Sequence, residues 1–316
     1  MFHIKYNQKA ADWYYDKQKP ICERRIIRNL KRLNKEKPCP SDVIDYIEYV
    51  KTNLKKILIG RPQVLMDIDK ELQNKYPGFY KNGLIADSKL HKELNKIFNY
   101  RSFSKDRDFA YNFTAKSGVN VCPYCNFEFT FTVKLKNGET VMRPELDHFF
   151  PESKYPLFAL SFCNLIPSGH LCNCIIKNDK EMHIDTHVHP YIEEKGNDFR
   201  FISYMAVEND ELKLKLKAKA ESGSKAENSI NFFRLNDLYQ SHISVTEKVN
   251  DIFSAYPPEK LEEEVRLLKE MGHDVTKEEL LEILYREFIV ESPDEEMLGK
   301  LRQDMFREIS QDYEAE

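Results

Sequence analysis

The sequence predicts an α+β protein that is mostly helical, with a β-rich segment near its centre. Apolar residues recur at helical spacing through about the first 116 residues. Residues 127–134 (FEFTFTVK) then alternate as strands do, and Asn137-Gly138 follows as a hairpin-turn signal. From residue 225 onward the helical pattern returns, so helical regions are expected on both sides of a β-containing core.

The N-terminal region is predicted to be all-helical. Its first helix covers residues 20–36 and opens at Pro20, because proline fits the first turn of a helix. Ser41 can cap the next helix, and Pro77-Gly78 interrupts the pattern. The remaining helices are predicted at residues 42–58, 61–75, 88–99 and 106–116.

The centre and the C-terminal region alternate between hairpins and helices. A return strand is predicted at 140–146, a second β segment at 158–166 and a short helix from about Leu171. Another hairpin joins 199–206 to 211–218, and helices follow at 226–233, 236–255, 258–271, 276–288 and 293–312. Pro257-Pro258 marks a boundary, so the predicted domains are a basic helical one (1–117), a central one (118–256) and an acidic helical region (257–316).

Charge is distributed unevenly along a chain whose net charge is −4. Residues 1–118 hold 25 Lys and Arg against 14 Asp and Glu, whereas residues 258–316 hold 8 against 19. A basic front end suits phosphate-backbone binding, and an acidic tail would repel nucleic acid. Helix 20–36, with Arg24, Arg25 and Arg28, is therefore the predicted duplex-facing surface.

Composition and cysteine usage exclude several protein classes. No apolar run is long enough for a transmembrane helix, and the first residues lack a signal-peptide pattern, so a cytoplasmic protein is expected. No Walker motif occurs, so any ATP chemistry would belong to a partner. An odd number of cysteines argues against a disulfide framework: they are Cys22, Cys39, Cys122, Cys125, Cys163, Cys172 and Cys174.

Residues 119–178 carry the motif on which a function can be argued. It consists, in order, of CPYC (122–125), LDHFFP (146–151), NLIP (164–167) and HLCN (170–173). Phosphodiester hydrolysis needs a base near neutral pKa, which histidine supplies, and a hard cation, which prefers oxygen ligands. Neighbouring side chains on a strand point to opposite faces, so a shared Asp147–His148 site requires the strand to end or bend there.

This segment resembles the HNH family of ββα-metal (His-Me finger) endonucleases, and in particular the HNH proteins of Septu-type and retron-associated anti-phage systems. The resemblance covers about 60 residues and implies a zinc-stapled ββα core. It implies that His148 is the general base, Asp147 and Asn173 are ligands of a catalytic Mg²⁺ (or Mn²⁺), and Asn164 holds the loop near the base. Lys177, one turn beyond Asn173, and His189, in an HPY segment, would contact substrate phosphate.

A structural Zn²⁺ is the second cofactor that the resemblance implies. Cys122 and Cys125 form a CxxC knuckle, and Cys172 fills the last position of the second pair. Gly169 stands where relatives have the remaining cysteine, so the predicted fourth ligand is His170, with Cys174 as the alternative.

The predicted function is therefore a metal-dependent DNA endonuclease that acts as an anti-phage effector, with a separate ATPase as a possible partner protein. Two alternatives stay open. One is an HNH ribonuclease, because backbone cleavage can be indifferent to the sugar. The other is a non-catalytic zinc-knuckle module that binds nucleic acid or protein.

Overall fold

Helices make up most of the chain in the computed structural model, which describes residues 2–193 and 198–314, and the β structure is confined to short antiparallel hairpins. The predicted α+β, mostly helical class is confirmed. Within these residues no helix has the length and hydrophobicity to cross a bilayer. The chain divides into a larger unit (His3–Pro123 and Phe129–Glu193) and a smaller one (Met1–Phe2, Tyr124–Glu128 and Glu194–Glu316). Residue 117, a predicted domain boundary, therefore lies inside the larger unit.

The first part of the larger unit is helical, as the sequence predicts. A two-residue hairpin interrupts the helices after Pro77. In chain order the elements are α1 (Gln8–Leu33), α2 (Ser41–Thr52), α3 (Leu54–Ile59), α4 (Pro62–Lys75), β1 (Tyr80–Lys81), β2 (Leu84–Ile85), α5 (Ser88–Ile97), α6 (Tyr100–Lys105) and α7 (Arg107–Ser117).

The prediction that the first helix opens at Pro20 is wrong, because α1 begins twelve residues earlier and contains Pro20. The Asn7 side chain caps α1 by accepting a hydrogen bond from the Ala10 N–H. A proline inside a helix costs about 3 kcal/mol. Burial of a long face of α1 offsets this cost, since fully buried residues lie on both sides of the proline, among them Tyr14 and Ile26.

Tyr14 joins α1 to the segment that carries the central motif. Its ring packs against Phe113 and Phe162, and its hydroxyl donates a hydrogen bond to the Leu160 carbonyl (2.8 Å). Both groups are buried, so this bond replaces the hydrogen bond to water that the carbonyl loses on folding. The helical layer thereby supports the turn that precedes Asn164.

The β structure of the larger unit is shorter than predicted. Its strands are β3 (Val133–Lys134), β4 (Thr140–Met142), β5 (Glu145–His148) and β6 (Leu165–Ser168), and β5 pairs antiparallel with β6. The predicted strand over 158–166 is wrong for all but its end. Two 3₁₀ turns, Pro156–Phe158 and Phe162–Asn164, occupy that stretch. Local hydrogen bonds from Ser161 N–H to Phe158 O and from Asn164 N–H to Ser161 O keep the backbone in turns instead of an extended strand.

The smaller unit contains a long hairpin and a group of helices. Strands β7 (Phe199–Glu208) and β8 (Glu211–Ala220) confirm the predicted hairpin, and both turn residues, Asn209 and Asp210, have positive φ, as a type I′ turn requires. The last helix starts later than predicted. The helices are α8 (Lys225–Phe232), α9 (Leu235–Leu238), α10 (Ile243–Ala255), α11 (Pro258–Glu270), α12 (Lys277–Leu284) and α13 (Gly299–Glu314).

Candidate active site and metal clusters

Asp147, His148 and most of the HLCN segment lie on two paired strands and the short helix that follows them, all within the larger unit. Strand β5 pairs with β6 over four residues, with Asp147 opposite Ile166 and His148 opposite Leu165. A short π-helix, Leu171–Lys177, follows two residues after β6. The strand ends at His148, which is where the sequence predicts an end or a bend. Turns of π-helix occur frequently at functional sites.

His148 is held so that one ring nitrogen remains an acceptor. Its Nε2 lies 3.0 Å from the Ala159 carbonyl oxygen, which can only accept, so Nε2 carries the proton and Nδ1 keeps its lone pair in the neutral ring. The Tyr100 ring packs edge-on at 4.4 Å between centroids. Burial lowers the pKa of His148, although the bond to Ala159 and the Glu152 carboxylate act in the opposite direction. Burial therefore favours the neutral form of the imidazole.

Asn164 fastens the loop around this histidine. Its Nδ2 donates to the carbonyls of Phe150 (3.0 Å) and Phe158 (2.9 Å), and its Oδ1 accepts from the Phe150 N–H (2.7 Å). The side chain is fully buried, so each of these bonds satisfies a group that water cannot reach. This is the loop-holding geometry that the resemblance implies for Asn164.

Asp147 forms a buried ion pair with Lys177. The Lys177 ammonium lies 2.7 Å from Asp147 Oδ1 and also donates to the His148 carbonyl oxygen at 2.7 Å. Both side chains are almost fully buried, at 3% and 2% exposure. Lys177 is therefore directed at the strand and not at solvent, which departs from its predicted role as a phosphate contact.

His189 also lies away from solvent. Its ring is 1% exposed and packs against Phe149 at 4.2 Å between centroids. Its Nδ1 accepts from the Tyr191 N–H, while Nε2 is buried with no hydrogen-bond partner among the described residues. Burial lowers the pKa of His189 to about 3, so the ring is neutral. A phosphate contact would require this ring to become accessible, and the conformation places it in an aromatic core.

The cysteine knuckle groups with a carboxylate. One ligand atom from each of Cys122, Cys125, Cys172 and Glu128 lies within 4.8 Å of all the others, and the three cysteines are buried. Cys-rich clusters of this kind can hold a metal such as zinc. The sequence supplied the three cysteines, but Glu128 was missed because the HNH pattern directs attention to the second cysteine pair.

His170 and Cys174, the predicted fourth zinc ligands, do not belong to that group, in which Glu128 takes the fourth place. They gather instead around Glu145 on β5: His170 Nδ1 lies 2.8 Å from Oε1 and Cys174 Sγ lies 2.8 Å from Oε2. Asn173 Nδ2 donates to the same Oε2 at 2.9 Å. Burial acts to raise the pKa of Glu145, but these three hydrogen bonds outweigh it and hold the pKa below its usual value.

Glu145 and Tyr100 are two further site residues that sequence reasoning missed. Glu145 could have been found by the two-residue period of a strand, because residues two apart share a face and Asp147 follows it at that spacing. Tyr100 carries no local signal, because it lies on α6, far along the chain from His148.

The predicted duplex-facing helix retains part of its basic face. Arg24, Arg28 and Lys31 are exposed on α1. Arg25 differs, because its guanidinium donates to the Ile97 carbonyl oxygen at 3.0 Å and so joins α1 to the end of α5. A test of nucleic-acid binding on this surface should therefore leave Arg25 in place.

Comparison of the chain with protein-family models, with curated proteins and with solved structures finds no match.

Proposed function

We propose that this chain is a divalent-cation-dependent endonuclease of the HNH type that hydrolyses phosphodiester bonds in DNA. The observation that carries the proposal is the placement of His148. It stands at the end of a strand in a ββα arrangement, with Nε2 bonded to a carbonyl and Nδ1 left as an acceptor. A ring held in this way can take a proton from an attacking water.

The supporting residues give that histidine one orientation. The Ala159 carbonyl fixes the tautomer, the Tyr100 ring restricts rotation, and Asn164 ties together the loop that supplies Ala159. A general base is effective only when it is held within hydrogen-bond reach of the proton it removes.

Asp147 and Asn173 would hold the catalytic cation, which would stabilise the charge developing on the leaving oxygen. A carboxylate and a carboxamide oxygen suit Mg²⁺ or Mn²⁺. The contacts fit this role only in part, since both side chains already have partners. Asp147 Oδ1 is paired with Lys177, and the Asn173 amide donates to Glu145. A bound cation would therefore have to compete with the Lys177 ammonium for one carboxylate.

We assign a structural Zn²⁺ to the buried cluster of Cys122, Cys125, Cys172 and Glu128. Three thiolates favour zinc over hard cations, and a closed set of four protein ligands is typical of structural sites. Cys172 lies in the π-helix beside Asn173, so zinc would fix the helix that carries this candidate ligand. Removing zinc is expected to lower activity through the position of that helix.

The exposed basic residues of α1 suit the charged backbone of a nucleic acid, and DNA is the substrate that we propose. Arg24, Arg28 and Lys31 are proposed to contact phosphates. Replacing all three by Glu should weaken DNA binding and reduce the dependence of affinity on salt, whereas unchanged affinity and salt slope would remove α1 from the proposal. An anti-phage role and an ATPase partner stay predictions from the family resemblance.

The deciding experiment is cleavage of supercoiled plasmid and labelled RNA with Mg²⁺, Mn²⁺ or EDTA. His148→Ala is compared with His273→Ala, which removes an exposed histidine outside the motif. Cation-dependent cutting of DNA that only His148→Ala abolishes supports the proposal. Cutting of RNA alone would favour a ribonuclease. Binding without cutting, unaffected by EDTA and by His148→Ala, would favour a non-catalytic module, and cutting that persists in His148→Ala would refute His148 as the base.

A further inference from the structure

A second group of potential metal ligands lies at the start of the π-helix, apart from the cysteine cluster. It comprises Glu145 on β5, His170 at the residue before the helix and Cys174 one turn into it. His170 Nδ1, Cys174 Sγ and a Glu145 carboxylate oxygen all lie within 4.8 Å of one another. Unlike the buried cysteines, His170 and Cys174 are exposed and Glu145 is partly exposed.

We propose that Glu145, His170 and Cys174 form a solvent-accessible binding site for a transition-metal ion such as Zn²⁺ or Co²⁺. Tetrahedral metal sites with bonds of about 2.0–2.3 Å place neighbouring donor atoms between about 3 and 4 Å apart. The three donors of this site already approach within 4.8 Å, so small side-chain rotations bring them to that spacing. Two of the three contacts are now hydrogen bonds to the two oxygens of Glu145, each at 2.8 Å.

The donor set determines which metals the site selects. One imidazole nitrogen, one thiolate and one carboxylate oxygen favour borderline metals, whereas Mg²⁺ prefers oxygen alone. Three protein ligands leave a fourth position for water or another ligand, and the exposure of His170 (66% of its side chain) leaves that position open to solvent. Coordination replaces both hydrogen bonds to Glu145: the Cys174 thiol loses its proton to solvent, and the neutral His170 ring binds through Nδ1 in the tautomer that carries its proton on Nε2.

The backbone supports a preformed site. Glu145 is fixed by its pairing with Ser168 in the β5–β6 hairpin, and His170 follows that strand by two residues. The helix begins directly after His170, which puts Cys174 on the turn that faces the same carboxylate. Little backbone movement is needed on binding, so the ordering cost is small. The site requires neither His148 nor Asp147, and it meets the proposed catalytic residues at Asn173, whose amide donates a hydrogen bond to Glu145.

Thiol alkylation of the wild-type chain tests the site without relying on any variant. Cys174 and Cys39 are both exposed, so Cys39 serves as an internal control within the same molecule. The chain is treated with iodoacetamide with and without Zn²⁺, in excess Mg²⁺, and the two cysteine peptides are quantified by mass spectrometry. With Zn²⁺ at ten times its Kd, alkylation of Cys174 should slow about tenfold while that of Cys39 stays unchanged.

Metal stoichiometry and spectra give the second test. Cys174→Ser and His170→Ala should each bind one equivalent of Co²⁺ less than the wild-type chain and lose the corresponding thiolate-to-cobalt absorption. Cys39→Ser and His273→Ala are the matched controls and should bind as the wild type does. The buried cysteine cluster is present in every variant, so its contribution cancels in the comparison.

The outcomes separate clearly. Protection of Cys174 together with the loss of one equivalent in both variants supports the site, whether or not the chain cleaves DNA. Equal alkylation with and without Zn²⁺, or equal stoichiometry in wild type and Cys174→Ser, would overturn it. Displacement of bound Co²⁺ by millimolar Mg²⁺ would overturn the assignment to transition metals.

Discussion

The buried pair between Lys177 and Asp147 allows the sharpest test of how the motif is held together. Lys177→Met keeps most of the side-chain length but removes the ammonium group from Asp147 Oδ1 and from the His148 carbonyl oxygen. The Asp147 carboxylate then stays buried without its cation. Asp147→Asn makes the opposite change, because it leaves the Lys177 ammonium without its carboxylate.

The expected loss of stability follows from the burial of both partners. Breaking one side of a buried pair costs about 3–5 kcal/mol, whereas an exposed pair contributes about 0–1 kcal/mol. At 3% and 2% exposure the pair belongs to the first class. For a unit of this size each kcal/mol shifts Tm by about 2–4 °C, so Lys177→Met should lower Tm by about 6–20 °C. The double variant Asp147→Asn/Lys177→Met should lose less than the two single changes added together.

Trp13 provides the assay, because it is the only tryptophan and lies in the larger unit with the pair. Its ring packs against Phe109 at 5.5 Å between centroids, so its fluorescence reports unfolding of that unit. Lys92→Met is the matched control, since Lys92 is exposed on α5 and methionine is as good a helix former as lysine. A loss below about 1 kcal/mol relative to this control would refute the reasoning that the pair is broken at a buried cost.

The same variant tests the proposed cation ligand through stability. If Asp147 binds a divalent cation, Mg²⁺ can replace the missing ammonium in Lys177→Met, and it no longer has to displace Lys177 from Oδ1. Saturation at a hundred times Kd would return about 2.7 kcal/mol. Mg²⁺ should therefore raise the Tm of Lys177→Met more than that of the wild type. An equal effect on both would argue against Asp147 as a ligand.

Three further predictions concern two residues beside His148 and one buried carboxyl on α4. Asn164→Ala should destabilise the larger unit by about 2–4 kcal/mol in denaturant titrations, because three buried backbone groups lose their partner, while a loss as small as that of an exposed substitution would contradict the contacts. Under the proposed function, Tyr100→Phe should cleave nearly as fast as wild type, and Tyr100→Leu at least tenfold more slowly, because the aromatic ring restricts rotation of His148. Equal cleavage rates for the two variants would exclude this role of the ring. Burial raises the pKa of Asp69 to about 6, so the fold favours its protonated form and the chain loses stability as pH rises from about 4 to 6. Asp69→Asn should therefore raise Tm at pH 7 and have little effect at pH 4. An equal gain in Tm at both pH values would refute the pKa shift.

Much of the site could be predicted because its signals are local. The Asp-His pair before a proline predicted a strand end, and β5 ends at His148. The asparagine of NLIP was expected to bond the backbone of the loop, and the Asn164 side chain does so. The Asn209-Asp210 hairpin follows from residues that tolerate positive φ, and it appears at the predicted place.

The rest depended on contacts between segments far apart in sequence. A lysine after a helix turn looks exposed when it is read alone, and only the packing of the π-helix on β5 shows that Lys177 is buried against Asp147. Pro20 predicts a helix start when it is read alone, yet α1 continues on both sides of it because buried residues such as Tyr14 stabilise the helix. The fold of 158–166 was misjudged because apolar runs of this length occur in strands and in buried turns alike.

The two carboxylates of β5, Glu145 and Asp147, differ in the metal ion that each is suited to bind. Glu145 and Asp147 lie on the same face of the strand, two residues apart, and the π-helix lies along that face. At its start the helix presents a histidine and a thiol to Glu145, in contact with solvent, and at its end it presents a buried ammonium to Asp147. One carboxylate is therefore suited to an exchangeable transition metal, and the other can accept a hard cation only in competition with Lys177. The same helix carries ligands of both sites. A metal ion bound to Glu145 would replace the hydrogen bond that the Asn173 amide donates to this carboxylate, so its binding should alter the contacts of the Asn173 amide.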